Sequence, residues 1–274
     1  MKLSLAYSPC PNDTFAFHAM VHGLVDCEDL SFEVHLADVE ELNKRARNNS
    51  YDICKLSYHA FFLLAHNYAM LRTGSALGFG NGPLLVSNNG KAPDSGSTVL
   101  IPGEKTTAAL LLKIAFPHLT KTLPALFSDI EEELCSNRYQ YGVLIHEKRF
   151  TYQSKGLSLI ADLGEIWSNV SGMPVPLGGI AVSRSLESGL PQKIERVLKR
   201  SIEFALANPE VSQEYVCNYA QESDRNVQQK HVRMFVNEFT RELGNEGERA
   251  VKELYRYAAQ YYPELIKTEN LFIL

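Results

Sequence analysis

Chemistry in this chain is most naturally sought at His146, which ends the run Y-G-V-L-I-H-E at 141–147. In an extended segment Val143 and Ile145 share one face while Leu144 and His146 share the other, so the imidazole is expected at the tip of a strand. An imidazole has an ordinary pKa of about 6.5 and can abstract a proton near neutral pH without large tuning. A lone histidine is more often structural than catalytic. That reading is given to His18, His22, His35, His59, His66, His118 and His231, none of which has a carboxylate neighbour at metal-ligating spacing. No metal site is expected.

Three further segments combine polar residues with a strand-to-helix junction. In S-P-C-P-N-D-T-F, at 8–15, two prolines stiffen the backbone around Cys10 more than a plain turn requires, which suggests a preorganised cleft wall carrying Asn12. Asp13 is explained by helix capping alone. Lys55, Leu56 and Ser57 end an apolar run; a lysine there must snorkel, pair or meet an anion, because an unpaired buried charge is costly. Ser57 serves equally as a helix cap. In P-G-E-K-T-T, at 102–107, the hydroxyls of Thr106 and Thr107 and the free amides of a helix start converge, an arrangement suited to a carboxylate. Asp38, Tyr152 and Arg149 are weaker candidates. Asn43–Arg47 reads as a polar helix face, and Glu131–Glu133 as a solvated first turn.

Positioning these residues requires strands alternating with helices. Strand patterns fall at Leu3–Tyr7, Phe32–Leu36, Ile53–Leu56, Leu84–Ser87, Thr98–Ile101, Leu123–Phe127 and Tyr141–His146. Helical patterns fall at Thr14–Leu24, Glu40–Asn48, Tyr58–His66, Thr107–Phe116 and Ile130–Asn137. Such alternation predicts parallel sheets built from βαβ units, with ligands gathering beyond the carboxyl ends of the strands. From Pro191 onward the pattern is helical only, at Lys193–Ala207, Val211–Ala220, Asn226–Arg241 and Glu246–Tyr261, which predicts a C-terminal helical layer. The turn-rich segment Asn88–Ser97 reads as one crossing between lobes and Pro174–Gly179 as the return. This gives one lobe of residues 1–88 with 177–274 and a second of residues 89–176. The glycine-rich 78–83 lacks the ending of a phosphate-binding loop and reads as a plain loop.

Composition narrows the function. A net charge of −5 with no clustered Lys/Arg stripe argues against nucleic acid as a partner. The apolar run at Tyr58–Ala65 is far shorter than a membrane span and is broken by His59, so no membrane insertion is expected. Residues 1–9 lack the apolar core of a secretory signal, and five cysteines with no C-x-x-C spacing fit a reducing cytoplasm.

The ordered set S-P-C-P-N-D-T-F, K-L-S-Y, P-G-E-K-T-T, I-H-E-K-R-F-T-Y and P-V-P-L-G resembles the 1,4-dihydroxy-6-naphthoate synthase family of menaquinone biosynthesis. The likeness runs from Leu3 to about Gly247. A valine stands where the last motif usually has leucine. The resemblance implies a two-lobed fold like the type II periplasmic binding proteins. It also implies a cofactor-free carbon–carbon lyase that converts cyclic dehypoxanthinyl futalosine, a small-molecule carboxylate of the futalosine route, into 1,4-dihydroxy-6-naphthoate. In that family the histidine of I-H-E accepts a proton, here His146. The K-L-S and T-T segments touch substrate, here Lys55, Leu56, Ser57, Thr106 and Thr107. Two alternatives share the architecture: a small-anion binding protein without catalysis, and a chorismate dehydratase of the same pathway.

Overall fold

The structure is a computed structural model that describes residues 1–265, 268 and 270–274. It begins with β1 (Lys2–Tyr7), α1 (Pro11–Val21), β2 (Ser31–Leu36), α2 (Val39–Ala46), β3 (Ile53–Ser57), α3 (Tyr58–Leu64), β4 (Tyr68–Met70) and β5 (Ala76–Gly78). A second unit follows with β6 (Leu84–Ser87), β7 (Thr98–Ile101), α4 (Thr107–Ala115), β8 (Lys121–Pro124), α5 (Phe127–Cys135), β9 (Tyr141–Leu144), two 3-10 turns at His146–Phe150 and Tyr152–Lys155, β10 (Ser158–Asp162) and α6 (Leu163–Ser171). The chain then returns through β11 (Val175–Ser183) and ends in α7 (Leu190–Ala207), α8 (Gln213–Tyr219), α9 (Arg225–Phe235), α10 (Glu238–Arg241) and α11 (Gly244–Tyr261).

The first sheet has the order β2-β1-β3-β11-β4, with β5 also on β11; the second has the order β10-β6-β9-β7-β8. Neither is wholly parallel as the βαβ pattern predicts. β11 runs antiparallel to β3, β4 and β5, and β6 runs antiparallel to both β9 and β10. In each sheet the departure comes from a strand that lies next to a crossing.

The crossings themselves differ from expectation. β5 pairs in the first sheet and β6 in the second, so the chain changes lobes at 79–83, not at 88–97. Residues 84–88 therefore belong with the second lobe. Gly82 is required here, since a Cβ on it would lie 2.3 Å from the backbone of Gly164 in the first turn of α6. The return falls between Ser171 and Val175, and much of the expected crossing is instead the start of β11. β11 escapes a strand pattern because Pro176, Gly178 and Gly179 interrupt it; a Cβ on Gly179 would sit 2.5 Å from Met70 Sδ.

Smaller corrections have local causes. The expected strand Leu123–Phe127 ends at Pro124, and α5 starts at Phe127 instead of Ile130. The expected helix Asn226–Arg241 breaks at Val236, where Asn237 starts α10 through a capping box with Thr240. Leu5, Tyr7, Phe17, Ile53, Ile180 and Val197 pack one face of the first sheet against α1 and α7. On the other face a larger cluster runs without a break from Leu56 and Phe62 through Leu110 and Leu111 to Val143 and Trp167, joining the two lobes. No helix among the described residues is long and apolar enough to cross a membrane.

Candidate functional site

The strand tips of both sheets face one cavity. It is walled by Ser8 just after β1, by Asn12 and Asp13 from the start of α1, by Lys55, Leu56 and Ser57 from the end of β3, and by Asn81 and Gly82 from the first crossing. The opposite wall is Thr106, Thr107 and Ala108 at the start of α4 together with Ile145, His146 and Arg149.

His146 does not end a strand. It opens a 3-10 turn in the left-handed region, at φ 54°. For a side chain with a Cβ this costs about 1–3 kcal/mol and persists only where the surroundings enforce it. The enforcing contacts are visible. The Phe127 ring meets the imidazole edge-on at 5.0 Å. Lys148 pairs with Glu131 at 2.9 Å, and Thr151 Oγ1 donates to the same carboxylate at 3.2 Å. Arg149 donates to Gly80 O at 3.0 Å and to Gly82 O, and pairs with Asp162 at 3.1 Å. The turn that carries His146 is thus fastened to the crossing between lobes. Desolvation draws the imidazole pKa down to about 4; Asp13 opposes this shift and Lys55 adds to it. At neutral pH His146 is a free base.

Facing it is a chain of buried polar contacts. Lys55 Nζ donates to Asp13 Oδ1 at 2.7 Å, Ser8 Oγ to Asp13 Oδ2 at 2.7 Å, and Asn12 Nδ2 to Asp13 Oδ1 at 2.8 Å. Asn12 Oδ1 in turn meets His231 Nε2 at 2.8 Å. Asn43 fixes Ser57, accepting from its amide and donating to its hydroxyl, each at 3.1 Å. Asn81 is buried in the cavity wall, and neither end of its amide meets a partner among the described residues.

A family model described as menaquinone biosynthesis matches residues 3–260. The chain belongs to this family. It is 40% identical, over 93% of each chain, to a protein of Thermus thermophilus named 1,4-dihydroxy-6-naphthoate synthase. A solved structure of an Archaeoglobus fulgidus protein, 34% identical, superposes with a TM-score of 0.90 over 95% of this chain and 97% of that one. An alkanesulfonate-binding protein of Xanthomonas axonopodis pv. citri, 10% identical, superposes at 0.70 over 97% and 94% and shares the fold alone. The architecture is the two-lobed periplasmic-binding-protein-like one, with the helical layer at its C-terminus.

Within this menaquinone-biosynthesis architecture the cavity brings together His146, Asn12, Lys55, Leu56, Ser57, Thr106 and Thr107. It does not include Asp38 or Tyr152. Asp38 caps α2, accepting from the amides of Glu40 and Glu41 at 2.9 and 3.2 Å. Tyr152 packs beneath the second sheet with Leu84, Leu144 and Leu157. The threonine hydroxyls are already committed: Thr106 donates to Gly103 O at 2.8 Å and caps Ala109 N, and Thr107 donates to Leu177 O at 2.6 Å. What α4 offers an anion is therefore its first backbone amides, those of Thr107 and Ala108, which have no intrahelical acceptor.

Four expectations change here. Asp13 is the hub of the polar chain, where capping alone was the expected role. Asn43 and Glu131 are buried and hold site elements where solvated faces were expected. His231, expected to be structural, touches Asn12 and lies parallel to His146, with ring centroids 5.9 Å apart. Its signal in the sequence is weak, since a histidine on an amphipathic helix has no distinguishing neighbour.

Proposed function

We propose that this protein is a cytoplasmic carbon–carbon lyase, a 1,4-dihydroxy-6-naphthoate synthase acting on cyclic dehypoxanthinyl futalosine, with His146 as general base. The observation that carries the reading is one cavity with an unprotonated, strained histidine on one wall and the free amides of a helix N-terminus on the same lobe beside it. The family membership and the names of the relatives support the substrate. The substrate carboxylate docks at the amides of Thr107 and Ala108, where the positive end of α4 favours it. Lys55 and Asn12 face the bound molecule from the other lobe. Closure excludes water, and His146 takes a proton from a sugar hydroxyl or an adjacent carbon as the carbon–carbon bond breaks. Aromatisation of the new ring supplies driving force; the protein supplies position and a base. A placed base contributes roughly a hundred- to ten-thousandfold in rate.

The test is to mix purified protein separately with the cyclic compound and with chorismate and to follow the naphthoate ultraviolet spectrum. Product from the cyclic compound alone is expected, and His146→Ala should slow it by about a hundredfold or more. Dehydration of chorismate, or a cyclic compound bound unchanged over hours, refutes the assignment. Full activity in His146→Ala removes the base.

A further inference from the structure

The polar chain facing His146 does not end at His231. On the far side of that ring, Nδ1 lies 3.7 Å from Oε2 of Glu147, the residue that follows His146. Both side chains are almost wholly inaccessible, at 0% and 2% exposure, and neither of these two atoms has a hydrogen-bond partner among the described residues. Two buried polar atoms left facing one another cost about 1–3 kcal/mol each unless a proton lies between them.

The neighbours determine where that proton sits. Asp13 can only accept, and it already holds Lys55, so the Asn12 group facing it at 2.8 Å is the amide nitrogen. The Asn12 oxygen therefore faces His231, and Nε2 of His231 must donate. A neutral imidazole protonated at Nε2 has a bare Nδ1, which is an acceptor. An ionised Glu147 opposite would set acceptor against acceptor.

An imidazolium facing a carboxylate is the other way to place a proton, and the surroundings oppose it. His231 lies in the field of Lys55 from β3 and of Arg149 from the turn, both of which disfavour a further positive charge, as would a proton on the parallel ring of His146. Glu147 is faced by Lys148 on its own turn, by Glu222 from the segment before α9, and by the Cys10 thiol at the start of α1. Burial is the largest influence on both groups. It pushes the Glu147 carboxyl up and the His231 imidazole far down, so it works against the charged form of each, in the same sense as the hydrogen-bond geometry.

We propose that Glu147 and His231 are a positioning pair in which Glu147, as a neutral acid, donates its proton to Nδ1 of His231, fixing Asn12 on one lobe and the His146 turn on the other. This rests on the reading of His146 as the base. The pair touches no substrate in this arrangement, since neither residue lines the cavity. It acts through its neighbours: His231 holds the Asn12 amide, and Glu147 holds the strained backbone of the adjoining His146. A separation of 3.7 Å exceeds a hydrogen bond by less than an ångström, so a small closure of the lobes over a ligand completes the contact.

Glu147→Gln and Glu147→Ala separate the possibilities in the full chain. Glutamine keeps a neutral donor at the same reach. It should retain kcat/KM for the cyclic compound within about threefold and leave the pH profile unchanged. Alanine should lower kcat by about a hundredfold, the scale of a misplaced reacting group, with KM changed by less than about threefold. Glutamine as damaging as alanine, or alanine as active as wild type, overturns the proposal. A second measurement does not depend on turnover: long-range proton–nitrogen spectra of protein labelled with 15N-histidine, with His231 assigned by loss of its signal in His231→Gln. His231 should be neutral and Nε2-protonated from about pH 5.5 to 8; an imidazolium, or the Nδ1–H tautomer, in that range overturns it. If wild type makes no naphthoate, the functional reading fails while the nitrogen spectra still decide the pair.

Discussion

Replacing Lys55 by methionine should separate what the buried ion pair contributes to folding from what it contributes to the cleft. Lys55 and Asp13 have side-chain exposures of 8% and 5% and are 2.7 Å apart. With an effective dielectric of about 20, two unit charges at that distance attract by roughly 6 kcal/mol, most of which offsets the cost of taking them out of water. Lys55→Met removes the attraction and leaves a buried carboxylate with two neutral donors, Ser8 Oγ and Asn12 Nδ2. A loss of about 3 kcal/mol is expected, the low end for breaking a buried pair, because those donors remain. Asp13→Asn leaves an unpaired ammonium and should cost about 4 kcal/mol. The double variant replaces the pair by neutral groups of similar size and should lose only about 1–2 kcal/mol, giving a coupling energy of about 5 kcal/mol. Urea unfolding can be followed by the fluorescence of Trp167, the single tryptophan, buried in α6, and by far-ultraviolet circular dichroism. Coincidence of the two probes licenses a two-state treatment. A single substitution costing under about 1 kcal/mol, or a double variant as unstable as the sum of the singles, refutes the account. Naphthoate formation should stay low in the double variant, because the cleft still lacks its ammonium.

Other outcomes follow from the same geometry. Gly82→Ala forces a Cβ to 2.3 Å from the backbone of Gly164, so either the first crossing moves off the start of α6 or the protein unfolds; a melting temperature within about a degree of wild type would refute that contact. His59 is fully buried, donates through Nδ1 to Thr106 O at 3.3 Å, and has its pKa lowered to about 4 by desolvation. Its folded value lies below its unfolded one, so the unfolded chain binds more protons between those values. Stability from the neutral ring is complete above about pH 6.5 and is lost as pH falls toward 4, by up to about 3 kcal/mol. Raised carboxyls such as Glu40 and Glu195 act in the opposite sense, losing stability as pH rises through their folded values. The histidine contribution is therefore read as a difference: unfolding free energy should fall faster between pH 6 and 5 in wild type than in His59→Gln, by about 1.4 kcal/mol per pH unit. Equal slopes would remove it.

Much of the fold is legible because it rests on periodicity. β1, β3, β6 and β7 are short apolar runs bounded by turn residues, and α4, α7 and α11 carry continuous apolar stripes, so sequence and structure agree on them to within a few residues. The exceptions are elements whose residues serve a neighbour. β11 reads as a turn because Pro176 interrupts its pattern and because Gly178 and Gly179 are there to let Leu56, Met70 and Tyr58 approach closely. β4 and β5 are three residues each, too short to show alternation. β10 is a partly exposed edge strand lying against β6. The boundary between lobes is hidden in the sequence for a related reason. Asn88–Ser97 has the turn composition of a linker, whereas 79–83, which crosses, is a strap locked by Arg149.

The site divides in the same way. Residues at strand ends and helix starts can be read one at a time, and His146, Lys55, Ser57 and the paired threonines all reach the cavity. What one residue does to another cannot be read so, because polar partners here are separated by 42 positions for Lys55 and Asp13 and by 219 for Asn12 and His231. Chain spacing carries no trace of such pairs. Their consequence is physical all the same. A hydroxyl that looks free in sequence, as in Thr106 and Thr107, is spent on building the wall, which leaves the first backbone amides of α4 as the free donors there. Polar side chains that look dispensable, as in Asp13, Asn43 and His231, then set the orientation of the groups that line the cavity. The fold builds its cavity by this division of labour: strand tips and helix starts supply the groups that line it, while buried contacts behind them, such as Lys148 with Glu131 and Arg149 with Gly80 O, hold the turn that carries the strained His146.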